Sequence, residues 1–231
     1  MLIVGHRGAP WEAAENTLES FLRARLAGAD GVELDVRRCA TGEVVCFHDV
    51  TLQRLAGAAA RVRTTGWHAL RRYDLGRGVR LARLDDALAL WASHGVVNIE
   101  LKTDDVDLPA LVAAVARVLD RAPPGDRIVS SFAPAALRMM RDARPAVRRG
   151  QLVPPRARLE AAAMAAARPH AIHPWHGDAS PARVAWWRSL GLDVNVWTVD
   201  DDTRARALRD AGATSVITNA PGAMRRVMVT W

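Results

Sequence analysis

Residues 31–48 read GVELDVRRCATGEVVCFH. Two apolar, β-branched runs, 31–36 and 44–48, flank the short link RRCATGE. A parallel crossover needs roughly a dozen residues, so this link is too short to return the chain to the start of a parallel strand. Thr41-Gly42 is instead a turn signal, and the two runs read as an antiparallel hairpin. That reading decides the fold. Seven more strand-like runs occur, at 2–5, 96–101, 127–131, 147–152, 170–174, 193–198 and 215–218. Helical patterns cover 16–28, 84–94, 107–120, 133–143, 156–167, 180–190, 200–211 and 221–228. Strand–helix alternation points to a parallel sheet with helices outside. Nine strands are one too many for an eightfold barrel. With 44–48 as the returning hairpin arm, eight strands and eight helices remain. The expectation is an α/β fold, a (β/α)8 TIM barrel forming a single domain over 1–231, with a hairpin extension after strand two. Residues 49–83 read as a small loop or lid insertion at the mouth.

The same stretch carries chemistry. Glu33 and Asp35 lie two positions apart on a strand and share a face. A turn at Thr41-Gly42 brings His48 back beside them. Catalytic groups in such barrels sit at the C-terminal ends of the strands. There the chain places His6 and Arg7 on strand one, Glu100 and Lys102 on strand three, and Trp197 on strand seven. Three carboxylates from adjacent strands repel one another unless a cation lies between them. A hard divalent cation with oxygen ligands, Mg²⁺ or Ca²⁺, suits Glu33, Asp35 and Glu100. The plainer alternative is that Arg7, Arg37 or Lys102 pairs with these acids. Lys102 is the only lysine in an arginine-rich chain, which marks a place where a compact point charge is wanted. His6 and His48 are candidates for general acid and base. Arg7 is placed to hold an anionic oxygen, its alternative being a salt bridge to Glu15 or Asp35. Trp197 is expected to face the mouth. His173 and His176 stay unassigned.

The net charge of +7 comes from arginines scattered over the helical segments, with no basic run interleaved with aromatics. No nucleic-acid motif accompanies it. Two cysteines, Cys39 and Cys46, make neither a disulfide framework nor a zinc site, and a reducing compartment fits. No run approaches the ~18 apolar residues of a membrane span, and the N-terminus lacks a signal-peptide pattern. The expectation is a cytoplasmic protein with no nucleic-acid partner, no transmembrane segment and an open oligomeric state.

HRGAPWEAAENTLESFLRARLAGADGVELDVRRCATGEVVCFHDVTLQR, followed in order by NIELK, SSF, VNVWTVD and GATSVITNAP, resembles the glycerophosphodiester phosphodiesterase family over residues 3–221. The resemblance implies metal-dependent hydrolysis of deacylated phospholipids, such as glycerophosphocholine, to glycerol 3-phosphate and an alcohol. It implies that His6 and His48 are the catalytic pair and that Glu33, Asp35 and Glu100 ligate the cation. It further implies that Arg7 and Lys102 hold phosphate and that Trp197 lines the alcohol or glycerol pocket. The nucleophile is either a neighbouring glycerol hydroxyl, giving a cyclic phosphate, or water. The chain departs from the family at Ala14 and Ala82-Arg83, where proline and Pro-Thr are usual, at Ala56 for threonine, and at Thr214 and Asn219 for aspartates. A lysophospholipase D or sphingomyelinase D type of activity on intact lipids is the enzymatic alternative. A non-catalytic binding barrel is the third reading. Which alcohol is released, which cation is preferred and which histidine is the initial base stay open.

Overall fold

Period-2 alternation along 31–38 sorts its side chains into two faces. Val32, Leu34 and Val36 pack into an apolar core, while Glu33 and Asp35 turn to the opposite face. The computed structural model describes residues 1–157 and 161–229. In chain order its strands and α-helices are β1 (Leu2–His6), α1 (Leu18–Leu26), β2 (Gly31–Arg38), β3 (Val44–Cys46), α2 (Gln53–Ala56), α3 (Trp67–Leu70), β4 (Ala82–Arg83), α4 (Leu84–Leu90), β5 (Val96–Leu101), α5 (Leu108–Arg121), β6 (Arg127–Ser131), α6 (Pro134–Ala143), β7 (Arg148–Val153), α7 (Ala161–Ala167), β8 (Ala171–Pro174), α8 (Pro181–Ser189), β9 (Asp193–Val196), α9 (Asp202–Asp210), β10 (Ser215–Thr218) and α10 (Pro221–Val229).

Eight of the strands, β1, β2 and β5 through β10, pair in parallel and close into a ring through β10 and β1. The chain is a TIM barrel. Each of the nine expected strands forms. The eight helical patterns form as well, except that residues 158–160 of the 156–167 pattern lie outside the described residues. Helix starts are written in the sequence. Thr17, Asp107, Ser180 and Asp201 cap α1, α5, α8 and α9 by accepting from backbone N–H groups at 2.7–3.3 Å. Proline occupies the first turn of α5, α6 and α8, where its missing N–H costs nothing. The helices bury one face against the ring. Leu34, Ile99, Leu88, Trp91 and Val115 form the core on one side, and Val194, Val216, Trp187 and Leu208 on the other. Each large side chain so buried contributes roughly 1.5–3 kcal/mol.

The hairpin forms as read. β3 runs antiparallel to β2 with Val36 opposite Cys46, and the Phe47 N–H donates to the Asp35 carbonyl at 2.9 Å. Gly42 turns the chain at φ +100°, a conformation most side chains resist. β4 adds a third antiparallel strand outside the ring. The 49–83 insertion packs Leu52, Val62, Leu70 and Leu81 against Cys39 and Phe47 of the hairpin, in a core of its own. No helix among the described residues is long and apolar enough to cross a membrane.

Candidate active site

The strand register brings the acids together. His6 of β1 pairs with Glu33 of β2, and Asp35 pairs with Glu100 of β5. Glu33, Asp35 and Glu100 each present a carboxylate oxygen, and these oxygens lie within 4.8 Å of one another. Glu33 and Glu100 line a cavity of about 140 Å³ at the C-terminal ends of the strands, and Asp35 is buried beside them. His6, Arg7, His48 and Lys102 line it beside the acids, and Phe132, Leu152 and Trp197 form an apolar wall. The candidate catalytic, metal-ligating and substrate-holding residues therefore meet at one site, while His173 and His176 do not line it.

The loop after β1 is built for this placement. Gly8 has φ +95°, and a Cβ there would stand 2.3 Å from Ser20 Oγ. Only glycine lets the loop lie against α1 this closely. Ser20 Oγ donates to the Arg7 carbonyl at 2.9 Å and accepts from the Ala9 N–H at 2.8 Å. Arg7 thereby aims its own N–H at Glu33 Oε2, 2.9 Å away.

The charges are arranged with few free ends. Arg7 bridges Asp35 at 3.1 Å and Glu15 at 2.8 Å. Lys102 Nζ lies 2.7 Å from Glu100 and 3.5 Å from Asp35. The pairing considered as an alternative thus exists for Arg7 and Lys102. Arg37, also considered, turns instead to Asp104 at 2.8 Å. Two cations do not balance three buried carboxylates, and the acids divide accordingly. Burial and the charges of Asp35 and Glu100 push Glu33 well up. Burial and Asp35 push Glu100 up to about 7, against the pull of Lys102. Burial would raise Asp35 too, but Arg7 and Lys102 overcome it and hold the group at about 2. A set of oxygen donors that takes up protons when left to itself is one a hard divalent cation fits.

The imidazoles are held at Nδ1. His6 Nδ1 lies 2.7 Å from Asn219 Oδ1, and Asn219 Nδ2 donates to Asp200 Oδ2 at 2.6 Å. With the amide so oriented, His6 carries its proton on Nδ1 and leaves Nε2 bare, 4.0 Å from Glu33. Burial and the nearby Arg7 lower the pKa of His6. His48 Nδ1 lies 2.7 Å from Asp49 Oδ1. Asp49 continues through Arg54 at 2.7 Å and Glu15 at 2.6 Å to Arg7, so one chain of ion pairs links the insertion to the β1 loop.

Several of these residues escaped the sequence reading. Asn16, fully buried at φ +58°, donates to Asp35 Oδ2 at 2.8 Å and accepts from the Asp35 N–H at 3.0 Å. Its place in the run ENT was the available signal. Asn219 is visible in the sequence at the end of strand eight and as a departure from an expected aspartate, with no sign of its bond to His6. Phe132 meets Trp197 edge to face at 5.6 Å, and Trp197 Nε1 donates to the His173 carbonyl at 2.7 Å.

The model of the glycerophosphoryl diester phosphodiesterase family matches residues 6–223. The chain belongs to that family. A glycerophosphodiester phosphodiesterase of Caldanaerobacter subterraneus subsp. tengcongensis is 28% identical over 237 residues, covering 95% of this chain and 94% of that one. The solved structure of the glycerophosphodiester phosphodiesterase of Thermotoga maritima superposes with a TM-score of 0.84 at 26% identity, over 98% of each chain. A phosphodiesterase of Oleispira antarctica, solved with its product sn-glycerol 3-phosphate, shares the fold with a TM-score of 0.93 at 24% identity, over 100% of this chain and 97% of that one. The residues of the site, from His6 to Asn219, lie within the matched span.

Proposed function

We propose that this chain hydrolyses glycerophosphodiesters to glycerol 3-phosphate and an alcohol, using a divalent cation and the two imidazoles. The observation that carries the reading is the convergence of Glu33, Asp35 and Glu100 beside a cavity that His6 and His48 line. Membership of the family supports the substrate class. Glu33, Asp35 and Glu100 would hold the cation, Mg²⁺ or Ca²⁺. A bound divalent cation supplies Lewis-acid stabilisation of phosphoryl oxygens, worth several kcal/mol in the transition state.

The chain's own groups do the rest. Arg7 and Lys102 hold phosphate oxygens as charge builds on them. His6 offers a bare Nε2, backed by Asn219 and Asp200, and suits proton abstraction. His48, with a carboxylate at Nδ1, is suited to carry a proton to the leaving oxygen and to take one back in the following step. The wall of Phe132, Leu152 and Trp197 receives the carbon skeleton of the diester. Free, buried Cys39 and Cys46 are consistent with a reducing compartment such as the cytoplasm.

The test is a screen of glycerophosphodiesters with added Mg²⁺ or Ca²⁺, reading released glycerol 3-phosphate, with a lysolipid in parallel. Turnover of the diesters that stops with chelator is expected. His6→Gln or His48→Gln should each lower kcat by roughly 10²–10⁴-fold. Turnover of the lysolipid alone would replace this reading with the lipid-directed one. Near wild-type turnover in His6→Gln would remove the acid–base assignment.

A further inference from the structure

Arg37 follows the acids on β2 but does not join them. Its side chain is only 3% exposed. Its Nε and one terminal nitrogen donate to the His48 carbonyl at 2.9 and 2.7 Å. The other terminal nitrogen donates to the Asp104 carbonyl at 2.8 Å. The nitrogen shared with His48 also reaches both Asp104 carboxylate oxygens, at 2.8 and 2.9 Å. Every N–H-bearing nitrogen of the guanidinium is thus engaged, and its rigid plane fixes the angle between the groups it grips.

The two gripped segments matter. One is the hairpin's return, which ends in His48. The other is the loop that begins at Lys102. The next residue of that loop, Asp105, is held in turn by Arg61 at 3.0 Å and Arg63 at 3.7 Å, both from the insertion. Backbone bonds to β2 anchor Phe47 at the Asp35 carbonyl (2.9 Å) and Lys102 at the Val36 carbonyl (3.3 Å). The Arg37 guanidinium carries the hold past those last backbone bonds, to His48 itself and to the loop beyond Lys102.

We infer that Arg37 is a positioning residue that locks His48 against the Lys102 loop, so that both side chains address one phosphate. The inference rests on the reading of His48 as an acid–base group. A displacement of the order of 1 Å at such a group costs about 10²-fold in rate.

The test is a double-mutant cycle between Arg37 and His48. Arg37→Met should lower kcat about 10- to 100-fold, with KM and the Mg²⁺ or Ca²⁺ dissociation constant changed less than about threefold. Arg37→Lys, which keeps charge and loses the fork, should fall between. In a His48→Gln background, Arg37→Met should cost clearly less than in the wild type, because one of the two groups it positions is already gone. If Arg37→Met does not fold, Arg37→Lys carries the same cycle. Losses that multiply in the double variant, or wild-type kcat in both Arg37 variants, would overturn the positioning role alone. Wild-type kcat in His48→Gln would overturn the reading of His48 and the inference with it.

Discussion

Asp35 and Glu100 sit side by side in register and are driven in opposite directions. Glu100 rises to about 7 from an ordinary 4.5, and Asp35 falls to about 2 from 3.8. The folded, cation-free protein therefore binds a proton at Glu100 more strongly than the unfolded chain does. The contribution of Glu100 to stability falls as pH rises from about 4.5 to 7. Asp35 acts the other way, adding stability above 3.8 that is lost as pH drops toward 2. Buried His6 and His173, lowered by burial, also add stability as pH rises toward 6.5, so the contribution of Glu100 is read against a Glu100→Gln variant. In chelator the Tm of the wild type relative to Glu100→Gln should decline between pH 5 and 8, and added Mg²⁺ or Ca²⁺ should reduce or reverse that decline. A difference that is flat and insensitive to cation over that range would contradict these charges. His6 offers a second test at this scale. Its bond to Asn219 raises its pKa against burial and Arg7. Asn219→Ala should move the acidic limb of the kcat/KM profile to lower pH and cost up to about 10²-fold in kcat as the ring loses its anchor. An unmoved limb would mean that His6 does not titrate in the reaction. Single residues were legible where a short-range rule spoke for them: the period of two placed Glu33 with Asp35, and one turn placed His48. His6 and Asn219 are 213 positions apart, and no local pattern joins them.

The β1 loop and the hairpin are the elements that aim the site. Gly8 meets α1 so closely that a methyl group has no room, since its Cβ would lie 2.3 Å from Ser20 Oγ and 2.6 Å from the Ser20 carbonyl carbon. Gly8→Ala should destabilise by about 1–3 kcal/mol and lower kcat, since Arg7 and His6 flank the displaced backbone. Gly42 shares the positive φ, but the nearest atom to its Cβ would be Arg38 at 3.4 Å. Gly42→Ala should therefore cost only about 1 kcal/mol, the backbone penalty alone. Chemical denaturation of the two variants checks the order, and a larger loss at Gly42 would refute it. Long elements were readable because periodicity accumulates over their length. α2 and α3 have four residues each and β4 has two, too few for a period to show. The insertion's links to the site, Arg54 to Glu15 and Arg61 to Asp105, depend on long side chains meeting across loops.

Across the whole molecule, a ring of parallel strands gathers at one end groups that the chain spreads from His6 to Asn219. The eightfold closure was legible because the 37–43 link is too short for a crossover. The ion-pair chain from Arg7 to His48 was not, because it depends on how that closure folds the β1 loop against the insertion. The account turns on three carboxylates that a divalent cation holds in the ionised form. Calorimetric titration with Mg²⁺ and with Ca²⁺ near pH 7, in two buffers of different ionisation enthalpy, tests it directly. Binding at a single site should release about one proton or more, as Glu33 and Glu100 give theirs up, and Glu33→Gln or Glu100→Gln should weaken it about tenfold or more. No binding of either ion, or binding unchanged in both variants, would contradict the account.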